Sequence, residues 1–176
     1  MKELNTLAVD GESTVRAYTK GIIPYFEGFG YTLPECQLIA KEWGHLVHED
    51  TVNNLVVTSG LGLVCDALAD ITTGITHCAL GTSTSTPAIS DTTLTTEVAR
   101  KAATTRTRSG AVLTTSTFFT AAESTFAIEE VGLFGSSDAT TSADSGTMFT
   151  HYSQTYDNTA GSYDLTFDYV LTVART

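Results

Sequence analysis

Positive charge is scarce in this chain. Nine Lys and Arg stand against 20 Asp and Glu, a formal net charge of −11, and no Lys or Arg occurs between residues 109 and 174. Phosphate contacts need cationic side chains, so a nucleic-acid partner is not expected. Cysteine is scarce too: Cys36, Cys65 and Cys78 are odd in number and widely spaced, with neither a disulfide framework nor a zinc pattern. They read as small buried hydrophobes in a reducing compartment. No apolar run approaches the length of a membrane span, and Met1-Lys2-Glu3-Leu4-Asn5 is followed by no apolar signal segment. The expectation is synthesis in a cytoplasm and no membrane partner. Charged residues of both signs total only 16%, well under the usual quarter.

Threonine fills that gap, with 33 residues. Its β-branched side chain suits a pleated strand and makes a surface polar without charge. Such surfaces desolvate cheaply against a neighbour. A hydrophobic content of 41% with 9% aromatics allows a packed core. The few cations are clustered: Arg100, Lys101, Arg106 and Arg108 are four of the nine. That asymmetry suits a subunit whose one face attracts the opposite face of the next.

Along the chain, residues 1–30 combine scattered glycines with an aromatic cluster, Tyr25, Phe26, Phe29 and Tyr31. They read as an N-terminal arm or extended loop, with a strand over residues 16–23. Its aromatics are covered either by a partner surface or by the chain's own core. Residues 31–176 read as one domain. Alternation predicts a strand over residues 36–42, a turn at Trp43-Gly44 and a returning strand over 46–49. A short apolar run, residues 54–57, precedes a helix over residues 60–69, capped by Thr58 or Ser59. A turn at Thr72-Thr73-Gly74 leads to a strand over 75–80 and a Ser/Thr/Pro loop over 81–90. Asp91 is placed to cap a second short helix carrying Leu94 and Val98, on which Glu97 and Arg100 pair. Residues 101–108 and 112–119 read as a hairpin across Ser109-Gly110. Residues 126–131 and 133–134 form another apolar stretch, and a polar loop over 136–145 precedes a strand over 147–152. Last, Tyr163, Leu165, Phe167, Tyr169, Leu171 and Val173 alternate with Asp164, Thr166, Asp168 and Thr172, the pattern of a long strand with one buried face. The fold class is therefore mainly β, a β-sandwich or jelly-roll-like domain with two short helices and an N-terminal arm.

No constellation with chemistry emerges, and neither catalysis nor a cofactor is expected. His45 and His48 fall on opposite faces of a strand, a poor metal pair. Glu129 and Glu130 likewise point apart. Asp138 and Asp144 lie in a loop without EF-hand spacing. Gly60-Leu61-Gly62 lacks the rest of a dinucleotide loop, and no Gly-x-Ser-x-Gly elbow or P-loop is present.

Four ordered segments carry a resemblance. They are Asn54-Leu55-Val56-Val57-Thr58-Ser59-Gly60-Leu61; Ala79-Leu80-Gly81-Thr82 with Thr86-Pro87-Ala88, Asp91-Thr92-Thr93-Leu94, Glu97 and Arg100; Glu130-Val131-Gly132-Leu133-Phe134; and Gly146-Thr147-Met148-Phe149. Together, over residues 53–176, they resemble small tailed-bacteriophage virion structural proteins. The resemblance implies an oligomeric component of the tail, baseplate, fibre-attachment or neck region, located in the virion, with copies of itself and other virion proteins as partners. Its candidate interface residues are Tyr25, Phe26, Phe29, Arg100, Lys101, Arg106 and Arg108. The rival expectations are a capsid decoration protein and a carbohydrate-binding module that recognises a host surface glycan through Trp43, Tyr152, Tyr156 and Tyr163.

Overall fold

The computed structural model describes residues 7–69 and 74–175. Ten strands and three helices follow in the order β1 (Leu7–Thr19), α1 (Ile22–Glu27), α2 (Leu33–Glu42), β2 (Leu46–Asn53), β3 (Leu55–Val56), α3 (Thr58–Leu68), β4 (Ile75–Gly81), β5 (Glu97–Ala102), β6 (Thr105–Ser109), β7 (Val112–Phe119), β8 (Ala127–Gly135), β9 (Thr147–Asp157) and β10 (Tyr163–Arg175). The strands make two antiparallel five-stranded sheets, ordered β2-β1-β10-β7-β6 and β3-β9-β8-β4-β5. The fold is a β-sandwich. Val15, Leu165, Phe167, Tyr169 and Leu171 of the first sheet meet Leu80, Ile128, Val131, Leu133 and Phe149 of the second in one buried cluster. Along β10 the inward residues keep a strict period of two, whereas in β8 and β9 irregularities at Ile128/Glu130 and Leu133/Phe134 shift it.

The expected arm is in large part an inner strand. β1 pairs with β10 from Leu7↔Arg175 to Thr19↔Tyr163 and, on its other side, with β2. Residues 1–6 lie outside the described residues, as do Thr72 and Thr73 of the expected turn. Residues 36–42 are not a strand but the body of α2. Thr32, Pro34 and Glu35 begin that helix: the Thr32 amide donates to the Glu35 carboxylate at 2.8 Å, and a proline is at home in a first turn. α3 occurs where a helix was expected, but neither Thr58 nor Ser59 caps it: its N-cap is Val57, with no side-chain cap bond. The second expected helix is absent. Residues 91–96 are irregular, and Glu97–Ala102 is strand β5. Residues 101–108, expected as one strand, divide at a corner, so that β5 and β6 join different sheets.

Both outer faces are partly roofed. α1 and α2 cover one end of the first sheet through Ile23, Phe26, Leu33, Cys36 and Ala40, which pack on Tyr18 and Phe118. β10 is thus buried on two faces there, not one. Most polar groups on its second face are matched, although Asp168 Oδ1 is buried without a partner among the described residues. Asp164 accepts from the amides of Gly21 (2.6 Å) and Ala121 (2.8 Å). Gln37 of α2 donates to Thr166 (3.0 Å) and Asp168 (2.8 Å), and Arg16 pairs with Asp168. The loop of residues 82–96 lies over the second sheet, with Leu94 packed among Val57, Ala79, Phe134 and Met148. α3 packs so closely on β9 that a Cβ on Gly60 would stand 2.1 Å from the Phe149 carbonyl oxygen, so only glycine fits.

The cysteines are free: Cys36 and Cys78 are buried and Cys65 is exposed. Burial pushes the Cys78 thiol up to about 12, where thiolate is negligible at neutral pH. Titration with an aromatic disulfide reagent is expected to find one fast thiol in the native protein and all three after unfolding. A second fast thiol in the native state would contradict this packing.

Candidate interaction site, an aromatic groove on the helical layer

α1 is short, and its spacing divides the aromatic residues. Ile23 and Phe26, three apart, face the sheet, which turns Tyr25 outward. The chain then passes Phe29, Gly30 at φ 89° and Tyr31 before α2 begins. α2 runs back so that Trp43, at its C-cap, meets Phe26 edge-on, with centroids 5.5 Å apart. Tyr25 makes edge-on contacts with Phe26 at 5.4 Å and Phe29 at 5.1 Å. Tyr25, Phe26, Phe29, Tyr31, Ile39 and Trp43 line a groove of about 350 Å³. Its floor, Phe26, is buried, whereas Tyr25 is 57%, Phe29 67% and Trp43 67% exposed. A contiguous aromatic surface of this kind, unlike apolar residues scattered singly, is a candidate interaction site.

The electrostatics of the helical layer are acidic. Glu27, Glu35 and Glu42 lie on α1 and α2. Lys41, the one cation on these two helices, is held by Glu49 of β2 at 2.9 Å. Glu35, engaged by the Thr32 amide and hydroxyl, sits below the ordinary carboxylate range.

Of the expected interface residues, Tyr25 and Phe29 form the groove walls and Phe26 its floor. The basic quartet is divided. Arg100 is buried: it makes two bonds to Glu97 (2.8 and 2.7 Å) and lies 3.7 Å over the Phe134 ring. The pairing of Glu97 with Arg100 was expected on a helix; a bulge at Val98, seen as Leu80↔Ala99 followed by Gly81↔Glu97, brings the two to one face of a strand. Lys101 pairs with Glu123 at 2.8 Å. Arg106 and Arg108 are exposed on edge strand β6 and donate only to the backbone carbonyls of Ile75 and Gly110, each at 3.0 Å.

The aromatics weighed for sugar binding do not form one platform. Tyr152 is buried and its hydroxyl accepts from Ser13 at 2.5 Å. Tyr156 is partly buried, with the His48 ring 4.8 Å away, and Trp43 belongs to the groove. The walls of the groove stand edge-on to one another, so they offer a cleft and not a flat stacking face.

A cluster the sequence did not disclose lies under the loop of residues 82–96. His151 bridges Asp91 (2.7 Å) and Glu130 (3.1 Å). Glu130 also accepts from the amides of Thr96 (2.7 Å) and Thr95 (3.0 Å). His151 and Glu130 are each 1% exposed, and both imidazole nitrogens are engaged, so the cluster pins the loop to the second sheet.

Comparison of the chain with family models, with curated proteins and with solved structures finds no match.

Proposed function

We propose that this chain is a non-enzymatic structural subunit of a tailed-phage particle, an oligomeric assembly or adaptor protein of the tail, baseplate or neck, acting in the virion among copies of itself and other virion proteins. The observation that carries the reading is the aromatic groove. Four large rings, Tyr25, Phe29, Tyr31 and Trp43, are left exposed on a helical pair bonded firmly to a sheet. An apolar cleft that no element among the described residues covers is what an assembling subunit presents before its partner arrives. The polar, charge-poor composition and the four ordered segments that resemble virion proteins support the same reading.

The test is the mass of the purified protein by light scattering behind a sizing column. The expected result is a discrete multimer, with Trp43→Ala raising the dissociation constant of self-association by about 30-fold or more. A wild-type monomer at every protein and salt concentration would count against a self-assembling subunit. If that monomer also bound surface glycans on an array, the carbohydrate-recognition reading would replace this one.

A further inference from the structure

We propose that the groove of α1 and α2 receives Arg106 and Arg108 of a second copy, so that the subunits join head to tail. This deepens, and rests on, the reading of the chain as a self-assembling subunit.

Four observations converge. First, the groove walls are aromatic faces and edges on helices whose cation, Lys41, is already paired with Glu49, leaving Glu27 and Glu42 to favour positive charge. Guanidinium groups stack on aromatic rings and pair with carboxylates, which makes arginine the side chain this combination suits best. The protein uses the same combination internally, with Arg100 stacked on Phe134 and paired to Glu97.

Second, Arg106 and Arg108 are exposed and have no carboxylate partner among the described residues; their hydrogen bonds end on backbone carbonyls. Both sit on β6, a five-residue strand at the open edge of its sheet. Such an edge can enter a cleft as a straight ridge, with side chains at alternate positions projecting together.

Third, the two patches cannot meet within one molecule. α1 and α2 roof the end of the sheet marked by Tyr18 and Phe118. Arg108 stands opposite Leu113, at the other end of β7. From Leu113 to Phe118 is about 17 Å along a strand, and from Thr115, which stands opposite Arg106, about 10 Å, both longer than an arginine side chain; Arg106 turns instead to the Ile75 carbonyl of the second sheet.

Fourth, the patches are different surfaces. A contact between them is therefore heterologous, and a joined pair keeps one free groove on one copy and one free edge on the other. Such contacts close into a ring when the rotation between subunits divides a full turn, and otherwise run on as a filament.

The test mixes two variants. One carries Arg106→Glu with Arg108→Glu and keeps its groove. The other carries Phe29→Ala with Trp43→Ala and keeps its arginines. All four side chains are exposed, and thermal melts of both variants are expected to overlay that of the wild type. Alone, each variant is expected to run as a monomer, with self-association weakened about 30-fold or more. Mixed in equal amounts, they are expected to form a one-to-one dimer and nothing larger, because a single competent groove and a single competent edge remain. If either variant keeps the wild-type multimer, the proposal is overturned while the self-assembling reading stands; the arginines would then only guard edge β6 against stray strand pairing. If both variants are monomeric and stay so when mixed, the interface is not groove to edge. If the wild type itself is monomeric throughout, the proposal and the reading fall together.

Discussion

Glu130→Ala is expected to lower the stability of the fold by about 3–5 kcal/mol, the usual cost of removing one partner from a buried charged network. The carboxylate is the meeting point of the second sheet and the loop of residues 82–96. It takes the amides of Thr95 and Thr96 and one nitrogen of His151. Alanine takes the acceptor from the partly buried bonds of the Thr95 and Thr96 amides and from the buried His151 nitrogen, and a buried donor left unmatched costs about 1–3 kcal/mol. The check is urea unfolding, with the midpoint lowered and the slope unchanged. A loss below about 1 kcal/mol would show that water replaces the carboxylate and that the loop is not fastened here. Asp91 adds a pH dependence at the same place. Burial alone would raise its carboxyl, but the Ala88 amide and His151 bring it below the ordinary value. A depressed carboxyl contributes stability that is present above its unfolded pKa and lost as pH falls through its folded one. Asp91→Asn is therefore expected to flatten the acid limb of the stability profile, and an unchanged limb would exclude this role.

Arg100→Ala is expected to cost a similar amount, about 3–5 kcal/mol, seen as a fall in Tm on the order of 10 °C for a domain of this size. The guanidinium is enclosed by Glu97, Phe134 and the Ser145 carbonyl, so alanine strands Glu97 and uncovers the Phe134 ring together. Glu97→Gln separates the two effects, because it removes the charge and keeps the stacking. A double-mutant cycle is expected to show strong coupling, with the pair of changes costing less than their sum. Additive losses would mean that Arg100 acts by packing alone.

The sequence disclosed the sandwich where large apolar residues alternate with polar ones along a strand. β10 is the clearest case, with Leu165, Phe167, Tyr169 and Leu171 turned to the core. β1 was hidden because its inward residues, Gly11, Ser13, Val15 and Ala17, are mostly small. Small residues leave room for neighbours such as the Tyr169 hydroxyl, 2.3 Å from where a Cβ on Gly11 would lie. Nothing in a period-two hydropathy pattern records that. α2 was mistaken for a strand because residues 36–42 satisfy alternation as well as helical spacing. The capping box of Thr32 and Glu35 and the buried positions Leu33, Cys36 and Ala40 were the better signal. That error also hid the groove, since only a helix returns Trp43 to Phe26. Arg100 counted as a surface cation because charge is read from sequence without its partners. The cluster of His151, Glu130 and Asp91 joins residues far apart in the chain, and no local spacing discloses it.

The pairing of β1 with β10 over thirteen register positions sets an order of events in the cell. On the ribosome, residues 7–19 emerge first and their partner 163–175 emerges about 150 residues later. Until then the central ladder of the first sheet is missing, and the helical layer that rests on it has no floor. Contacts between such distant segments slow folding and expose strand edges meanwhile. Completion of the fold is thus delayed until β10 has been made, and with it the groove. Until β10 has been made, the groove proposed as a docking surface is not in place.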